Sequence, residues 1–200
     1  MTREHFNRMA ASWDEQASER DSIKLERMAQ SLDIQSGAAV LDVGTGTGIF
    51  IPFLLAKIGN SGRLVALDFA EEMLKKARAK GFSRNIEYLH ADITRVSLPD
   101  AVFDAVVCYS SFPHFHDKPG GLREINRLMK KDGKLFICHS SSRTHINERH
   151  RQIPAMQHHL IPDEREMCLL LTAAGFTSIA IHDDDESYLC CARKPGLARL

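Results

Sequence analysis

The stretch from Leu41 to Ile49, which reads Leu-Asp-Val-Gly-Thr-Gly-Thr-Gly-Ile, constrains the fold of this chain more than any other feature. It places an acid at Asp42 inside an apolar run and then glycines at 44, 46 and 48. Glycines at alternate positions remove Cβ where the chain turns sharply and leave backbone N–H groups to face a ligand at the start of the next helix. The pattern predicts a buried strand, a ligand-binding turn and a helix that packs back on the strand.

A nicotinamide-type dinucleotide site is one alternative for such a loop. Its fingerprint needs a third glycine three residues after the second, and that place is held here by Ile49. The strand also carries Asp42, where a nicotinamide-binding strand more usually has a small or apolar residue. The next apolar run ends at Asp68 and a third one leads to Asp92. Acids at three strand ends favour another nucleoside cofactor and disfavour the nicotinamide reading.

The alternation of apolar runs and turn signals predicts one α/β domain over residues 1–200. We expect a doubly wound, mostly parallel seven-stranded sheet with an antiparallel closing hairpin, whose tight acidic turn is Asp183 to Glu186. The expected strands are 39–43, 63–67, 86–89, 103–109, 134–139, 178–182 and 187–193, and the expected helices are 23–32, 47–58, 70–80, 118–130 and 163–174, with a turn at 131–133.

Composition narrows the class of protein. The 200 residues are 44% hydrophobic, which is enough for one well-buried core. Basic and acidic residues number 26 each, so nothing favours nucleic acid or an anionic membrane surface as a partner. The five cysteines lie in apolar runs without a CxxC pair, and the N-terminus lacks an apolar signal-peptide core. We therefore expect a cytoplasmic protein with reduced thiols and no membrane span.

The glycine loop with its three strand-end acids resembles the class I S-adenosylmethionine-dependent methyltransferases, from about residue 38 to the C-terminus. The resemblance implies S-adenosylmethionine as cofactor and methyl transfer to a small-molecule acceptor as activity. It assigns Asp68 to the ribose hydroxyls, Phe69 and Met73 to the adenine face, and Asp92 and Ile93 to the adenine edge. The residues expected at the amino-acid end of the cofactor are Asp42, Gly44, Thr45, Gly46 and Gly48, and Tyr109 at the end of the fourth strand is expected to touch the cofactor too.

The N-terminal segment from Phe6 to Asp14 is similar to the opening of the quinone-biosynthesis C-methyltransferase branch. There an aromatic-Asp pair belongs to a lid over cofactor and substrate, which implies a helical lid over 1–36 and a site role for Trp13, the single tryptophan. An alternative is that Trp13 only anchors a surface helix. A substrate-cover segment is expected at 140–162. The sequence leaves open a monomer or a homodimer.

Histidines are concentrated where the fourth and fifth strands should end. Of 10 in the chain, His114, His116, His139, His145 and His150 all fall at this predicted mouth, where ligands of doubly wound sheets bind. His-x-His in extended chain would put two rings on one side, and His139 could complete an open site for a divalent transition metal. The alternative is that His114, His116 and His139 act as general bases or substrate contacts without metal.

The pocket should also contain substrate-binding side chains. We assign Trp13, Phe112, His145 and His150 to the acceptor, because they lie in the N-terminal segment and in the segments after the fourth and fifth strands, which should line the substrate pocket. The chain also departs from the quinone branch by its His-Phe-His after the fourth strand. That departure argues against a polyprenyl quinone. Two further hypotheses compete with the enzyme: a non-catalytic protein that binds S-adenosylmethionine or S-adenosylhomocysteine, and a nicotinamide-dependent oxidoreductase.

Overall fold

A computed structural model describes residues 3–16, 21–82 and 86–196 of the chain. The strands are β1 Ala39–Val43, β2 Arg63–Asp68, β3 Ile86–His90, β4 Phe103–Tyr109, β5 Met129–His139, β6 Thr177–Asp183 and β7 Tyr188–Arg193. The helices are α1 Arg3–Met9, α2 Trp13–Gln16, α3 Ser22–Ser31, α4 Ile51–Ile58, α5 Glu71–Ala79, α6 Lys118–Leu128, α7 Arg143–Gln152 and α8 Glu164–Ala173, with 3₁₀ turns at Ile93–Arg95 and Phe112–His114.

All seven strands form one sheet in the order β3-β2-β1-β4-β5-β7-β6. The first five run parallel, and β7 pairs antiparallel with both β5 and β6. The predicted doubly wound sheet with an antiparallel closing hairpin is therefore confirmed. Strand order reverses between β1 and β4, so a crevice opens at their carboxyl ends, which is where ligands of such sheets bind.

Alternate residues of the central strands pack against opposite helical layers. Leu41 of β1 belongs to the cluster that contains α6 and α8, whereas Val40 belongs to the cluster that contains α3 and α4. Both side chains are fully buried, as expected for a parallel strand covered on two faces. The expected helix at 23–32 therefore contributes to the core as α3, and the segment that remains free to cover the crevice is α1 and α2.

Two element boundaries differ by more than two residues from the sequence prediction. The expected helix 47–58 begins only at Ile51, because the glycine-rich chain before it forms turns. Strand β5 begins at Met129 and runs through the predicted turn at 131–133, with Asp132 in the left-handed region at φ 62°. The register between β4 and β5 shifts there, so the strand absorbs the irregularity as a bulge and continues to His139.

Candidate active site

A cavity of about 1080 Å³, including its open mouth, lies at the carboxyl ends of β1, β2 and β4. This volume counts the solvent at the mouth and is of the order found in small-molecule sites. The side chains and backbone that line it and were predicted as site residues are Trp13, Gly44, Thr45, Gly46, Asp68, Phe69, Met73, Asp92, Ile93, Tyr109, His114 and His116. The sequence thus predicted most of the lining on the β1 and β2 side.

Four backbone N–H groups of the glycine loop are hydrogen-bonded within the protein, contrary to the sequence expectation. Those of Gly44 and Thr45 both donate to the carbonyl of Leu67, at 2.8 and 3.0 Å. That of Gly46 donates to the Asp68 carboxylate at 2.8 Å, and that of Gly48 to the carbonyl of Thr45. The loop is therefore fixed to the end of β2, and its glycines serve close packing rather than an array of free donors.

Close approach is the reason for glycine at two of these positions. A Cβ on Gly44, whose φ is +73°, would lie 2.5 Å from Cβ of Ser111 at the end of β4. A Cβ on Gly48 would lie 2.9 Å from Ile51 and 3.1 Å from Ala77. Gly48 thus packs the loop onto α4 and α5 behind the cavity, so its predicted cofactor contact is replaced by a packing role.

Asp42 is a buried carboxyl beneath the loop. It is 2% exposed, and its Oδ2 accepts a hydrogen bond of 2.6 Å from the Thr45 hydroxyl. Burial raises the pKa of Asp42 to about 7, and the nearby Asp68 raises it as well, while the Thr45 hydrogen bond lowers it. Thr45 reaches the cavity surface, so Asp42 can act on a bound cofactor through its charge and through this hydroxyl.

Asp68 ends β2 on the cavity wall. Its Oδ1 accepts the N–H of Ala70 and its Oδ2 that of Gly46, each at 2.8 Å. Burial raises its pKa to about 6, although these two backbone hydrogen bonds oppose the rise. Near neutral pH the group is an oriented carboxylate, as hydrogen bonding to a pair of ligand hydroxyls requires.

An aromatic wall closes the cavity from the N-terminal side. The ring of Phe6 on α1 lies 5.7 Å from Trp13, 5.4 Å from Phe69 and 5.4 Å from His114, measured between ring centroids. Met73 is 1% exposed and joins the same cluster. Such walls exclude water and offer flat apolar surfaces to rings of a ligand.

Polar contacts fasten the N-terminal helices over the cavity. The Thr47 hydroxyl donates to Asp14, and Lys80 forms an ion pair with the same carboxylate at 3.0 Å. On the other side, the N–H of Glu72 donates to the side-chain oxygen of Asn7 at 3.1 Å. These contacts link α1 and α2 to the glycine loop and to α5, so the segment 3–16 is seated as a cover.

The metal site predicted from His114, His116 and His139 does not form, because His114 and His116 line the cavity and His139 does not. His114 ends a 3₁₀ turn, so the extended geometry assumed for His-x-His does not form. His139 is 1% exposed and packs beside Tyr188 rather than at the cavity. Across the described ranges, no three His, Cys, Asp or Glu side chains are grouped to hold a metal ion.

The strands that form the cavity lie in a part of the chain that matches a known protein family. The methyltransferase-domain family matches residues 41–137. Ubiquinone/menaquinone biosynthesis C-methyltransferase UbiE of Enterobacter sp. (strain 638) is 30% identical over 138 residues, 67% of this chain. The chain belongs to the class I S-adenosylmethionine-dependent methyltransferases. It spans 55% of the length of that UbiE protein.

Solved structures agree on the fold of this methyltransferase family. A chain of the Haloferax volcanii complex of the Trm112 methyltransferase activator with a methyltransferase has a TM-score of 0.79 at 19% identity, covering 95% of this chain and 97% of its own. A SAM-dependent methyltransferase from Aquifex aeolicus has a TM-score of 0.74 at 23% identity, covering 97% and 99%. Among the described residues no helix is long and apolar enough to cross a membrane.

Of the four residues predicted for the acceptor, Trp13 lines the methyltransferase cavity, His150 lies behind His114 with ring centroids 5.2 Å apart, and the other two lie away from the cavity. Phe112 is fully buried in the core against Phe115, with ring centroids 5.2 Å apart. His145 is exposed on the first turn of α7, where its N–H donates to Ser142. Each takes part in folding the loop that carries it, because sequence position near a strand end does not fix the direction of a side chain.

Some site residues were missed by sequence reasoning. Phe6 and Phe115 line the cavity, and His159 lies behind His114 with ring centroids 5.4 Å apart. Phe6 begins the aromatic-Asp segment already noted, so that signal existed. His159 follows α7 in a segment without periodicity, and nothing local marks it.

Weakening the contacts of Asp14 should loosen the cover. We expect Asp14→Ala to weaken S-adenosylhomocysteine binding by about fivefold, since one hydrogen bond and one ion pair together contribute about 1 kcal/mol. Fluorescence of Trp13, the neighbouring residue, should shift toward longer wavelength as the ring gains water. Titration calorimetry measures the first effect, and an emission scan measures the second. Lys75→Ala, which removes surface ion pairs of α5, is the matched control and should change neither.

Proposed function

We propose that this chain transfers the methyl group of S-adenosylmethionine to a small-molecule acceptor. The observation that carries the proposal is the cavity itself: an oriented carboxylate, a close-packed glycine loop and an aromatic wall meet at the sheet's strand-order reversal. These groups suit the parts of the cofactor. Asp68 would accept hydrogen bonds from the ribose hydroxyls, and Phe69 with Met73 would contact the adenine face, with Asp92 and Ile93 at its edge.

The polar end of the cofactor would meet Thr45 and Gly46, with Asp42 behind them. A buried carboxylate favours a nearby cation, and this cofactor carries a sulfonium and an ammonium group. Tyr109 supports the same wall, because it stacks on Phe50 at 4.4 Å and its hydroxyl hydrogen-bonds with Ser140 at 2.8 Å. The residues present thus fit the group by charge and by shape.

Methyl transfer needs alignment more than covalent help from the protein. The cofactor supplies a methyl group on sulfur, a good leaving group, and the chain must hold the acceptor in line and exclude water. The seated segment 3–16 would exclude water with Phe6 and Trp13. His114 is our candidate for accepting a proton from the methyl acceptor, because it lines the cavity. Burial and basic neighbours hold its pKa well below the usual value, so the ring is neutral but is a weaker base than a free imidazole.

A small acceptor is proposed because a cavity of about 1080 Å³, including its open mouth, would have to hold the cofactor as well. The UbiE relatives are named for quinone biosynthesis. The sequence resemblance to that branch implies apolar and small residues where this chain has His114 and His116, so we favour a more polar acceptor. We further propose that residues 1–200 act as one methyltransferase domain, with α1 and α2 as lid and α7 with the following segment as acceptor cover. His150 belongs to that cover on α7, and His116 lines the cavity from the loop after β4.

Asp68→Asn tests the cofactor assignment. We expect it to weaken S-adenosylhomocysteine binding by about 10- to 100-fold, since charged hydrogen bonds contribute about 1.5–3 kcal/mol. The pKa of Asp68 is raised to about 6, and its carboxylate form would bind the hydroxyls, so wild-type affinity should fall as pH drops through 6. Asp42, with a pKa of about 7, contributes to the same fall, so the variant should show a smaller fall than the wild type. Titration calorimetry, with quenching of Trp13 as a second signal, measures both.

Asp104→Asn is the control, because Asp104 lies at the start of β4, remote from the cavity. Tight NADH binding without S-adenosylhomocysteine binding would contradict the proposal and favour a nicotinamide-dependent oxidoreductase. Binding of S-adenosylhomocysteine with no turnover of any tested acceptor would instead favour the non-catalytic binding protein.

A further inference from the structure

Four imidazoles from three segments meet beside the cavity, and we call them the histidine cluster: His114, His116, His150 and His159. The ring of His114 lies 5.2 Å from His150 and 5.4 Å from His159, and His159 lies 6.4 Å from His116, measured between centroids. His114 and His116 line the cavity. His150 belongs to α7, and its Nδ1 hydrogen-bonds with the carbonyl of His159. The cluster therefore joins the cavity wall to the acceptor cover.

The groups that act electrostatically on His114 are all basic. They are His150, His159, His139 and Lys118, and with burial they lower its pKa well below the usual value. His159 is affected similarly by burial and then by basic groups that include Lys118, His116 and His150, and its pKa falls to about 4. Glu166 is the acidic group that acts on Lys118, whose ammonium donates to the carbonyl of Pro113 at 3.0 Å.

An unsatisfied atom lies at the centre of the cluster. Nδ1 of His114 is buried and has no hydrogen-bond partner among the described residues. A buried polar atom without a partner costs free energy, so such an atom beside a cavity indicates a missing ligand, ion or water.

The cavity is charged differently at its two sides. The carboxylates that line it are Asp14, Asp68 and Asp92, which come from α2 and from the ends of β2 and β3. The described lining residues include no lysine or arginine, so the basic side consists of imidazoles. A cationic cofactor would bind at the acidic side of the cavity. Its sulfonium would add positive charge, which favours an anion at the histidine side.

We propose that the histidine cluster binds a carboxylate group of the methyl acceptor and takes up one proton as that group enters. The inference rests on the proposed function, because it concerns the acceptor of the same reaction. The proton comes from solvent and is held on an imidazole nitrogen, so the cluster and the carboxylate form a neutral pair. A singly charged, planar group fits because the walls are apolar and fixed cations are absent from the described lining, whereas a phosphate dianion would need them.

Benzoate and benzamide are matched probes, since they differ in charge and share size and ring. With the protein saturated by S-adenosylhomocysteine, we expect benzoate to bind at least about tenfold more tightly than benzamide, a difference of about 1.4 kcal/mol. Calorimetry in two buffers of different ionisation enthalpy should detect net proton uptake with benzoate only. Benzoate affinity should fall as pH rises, because the cluster then holds its proton less readily.

His159→Gln should reduce benzoate affinity at least about fivefold and leave S-adenosylhomocysteine affinity unchanged, a loss in the range of one charged hydrogen bond. His158→Gln is the matched control, because the neighbouring His158 is exposed and hydrogen-bonds with Gln157. Benzamide binding as tightly as benzoate, no binding of either, or equal losses in both variants would overturn the proposal while leaving the cofactor site intact. Failure of S-adenosylhomocysteine itself to bind would instead defeat the proposed function.

Discussion

Gly44→Ala should destabilise the protein by about 3 kcal/mol and abolish cofactor binding near room temperature. Left-handed backbone costs a residue with Cβ about 1–2 kcal/mol, and Gly44 has φ +73°. The added Cβ would also lie 2.5 Å from Cβ of Ser111, whose hydroxyl donates to the carbonyl of Val43. Relief requires the ends of β1 and β4 to move apart, and this junction is the floor of the cavity. Urea unfolding and S-adenosylhomocysteine titration measure the two effects.

Two variants separate the cost of the left-handed backbone from the cost of the collision with Ser111. Gly46→Ala also has positive φ, at +56°, but its Cβ would meet only the Trp13 ring at 4.0 Å, so we expect a loss of about 1 kcal/mol. In a Ser111→Gly background the collision is absent, so Gly44→Ala should cost about 1–2 kcal/mol less than it does in the wild type; Ser111→Gly alone measures the loss of the hydrogen bond to Val43. Equal stability of Gly44→Ala and Gly46→Ala would show that Ser111 does not restrict the loop.

Sequence reasoning located the glycine loop but assigned its amides wrongly. Local pattern predicts a sharp turn after a buried strand, and that turn is present at Gly44 to Gly48. Whether an N–H in the turn faces a ligand depends on what lies beside it. Here the carbonyl of Leu67 and the carboxylate of Asp68, more than twenty residues away along the chain, accept those bonds. A long-range acceptor leaves no mark in the local pattern.

The positions of the site acids also follow from the local pattern, whereas those of the histidines depend on distant parts of the chain. Asp68 and Asp92 follow predicted strands, and parallel strand ends share one edge, so their position at the site follows from the fold. His114 follows the fourth predicted strand and His139 ends the fifth, yet His114 reaches the cavity and His139 packs beside Tyr188. The 3₁₀ turn at Phe112–His114 places His114 at the cavity, and the alternation of side chains along β5 places His139 away from it. His159 joins the histidine cluster because of the path of a segment that has no periodicity.

Asp42→Asn should stabilise the protein without cofactor by about 2–4 kcal/mol at about pH 8 and should weaken cofactor binding. The pKa of Asp42 is raised to about 7, chiefly by burial, so its ionised form destabilises the fold. An asparagine keeps an oxygen for the 2.6 Å hydrogen bond from Thr45 and removes the buried charge. It also removes the attraction for the cationic end of the cofactor.

The pH dependence follows from the direction of this shift. Between its ordinary value near 4 and its folded value near 7, Asp42 is protonated in the folded chain and ionised in the unfolded chain. The stability that it contributes is therefore fully present below pH 4 and is lost as pH rises through 7. Thermal or urea unfolding of wild type and Asp42→Asn across this range should converge at acid pH and diverge at alkaline pH.

Asp104→Asn is a control that should change the stability of the fold in the opposite direction. Burial would raise its pKa, but hydrogen bonds from Lys130 and from the N–H of Ala39 lower it on balance. Asp104→Asn should therefore cost stability at neutral pH and cost less as pH falls. If Asp42→Asn behaved like Asp104→Asn, the carboxyl at 42 would be a stabilising structural group. Stabilisation together with lost cofactor affinity would mean that Asp42 is retained for binding at the expense of the fold.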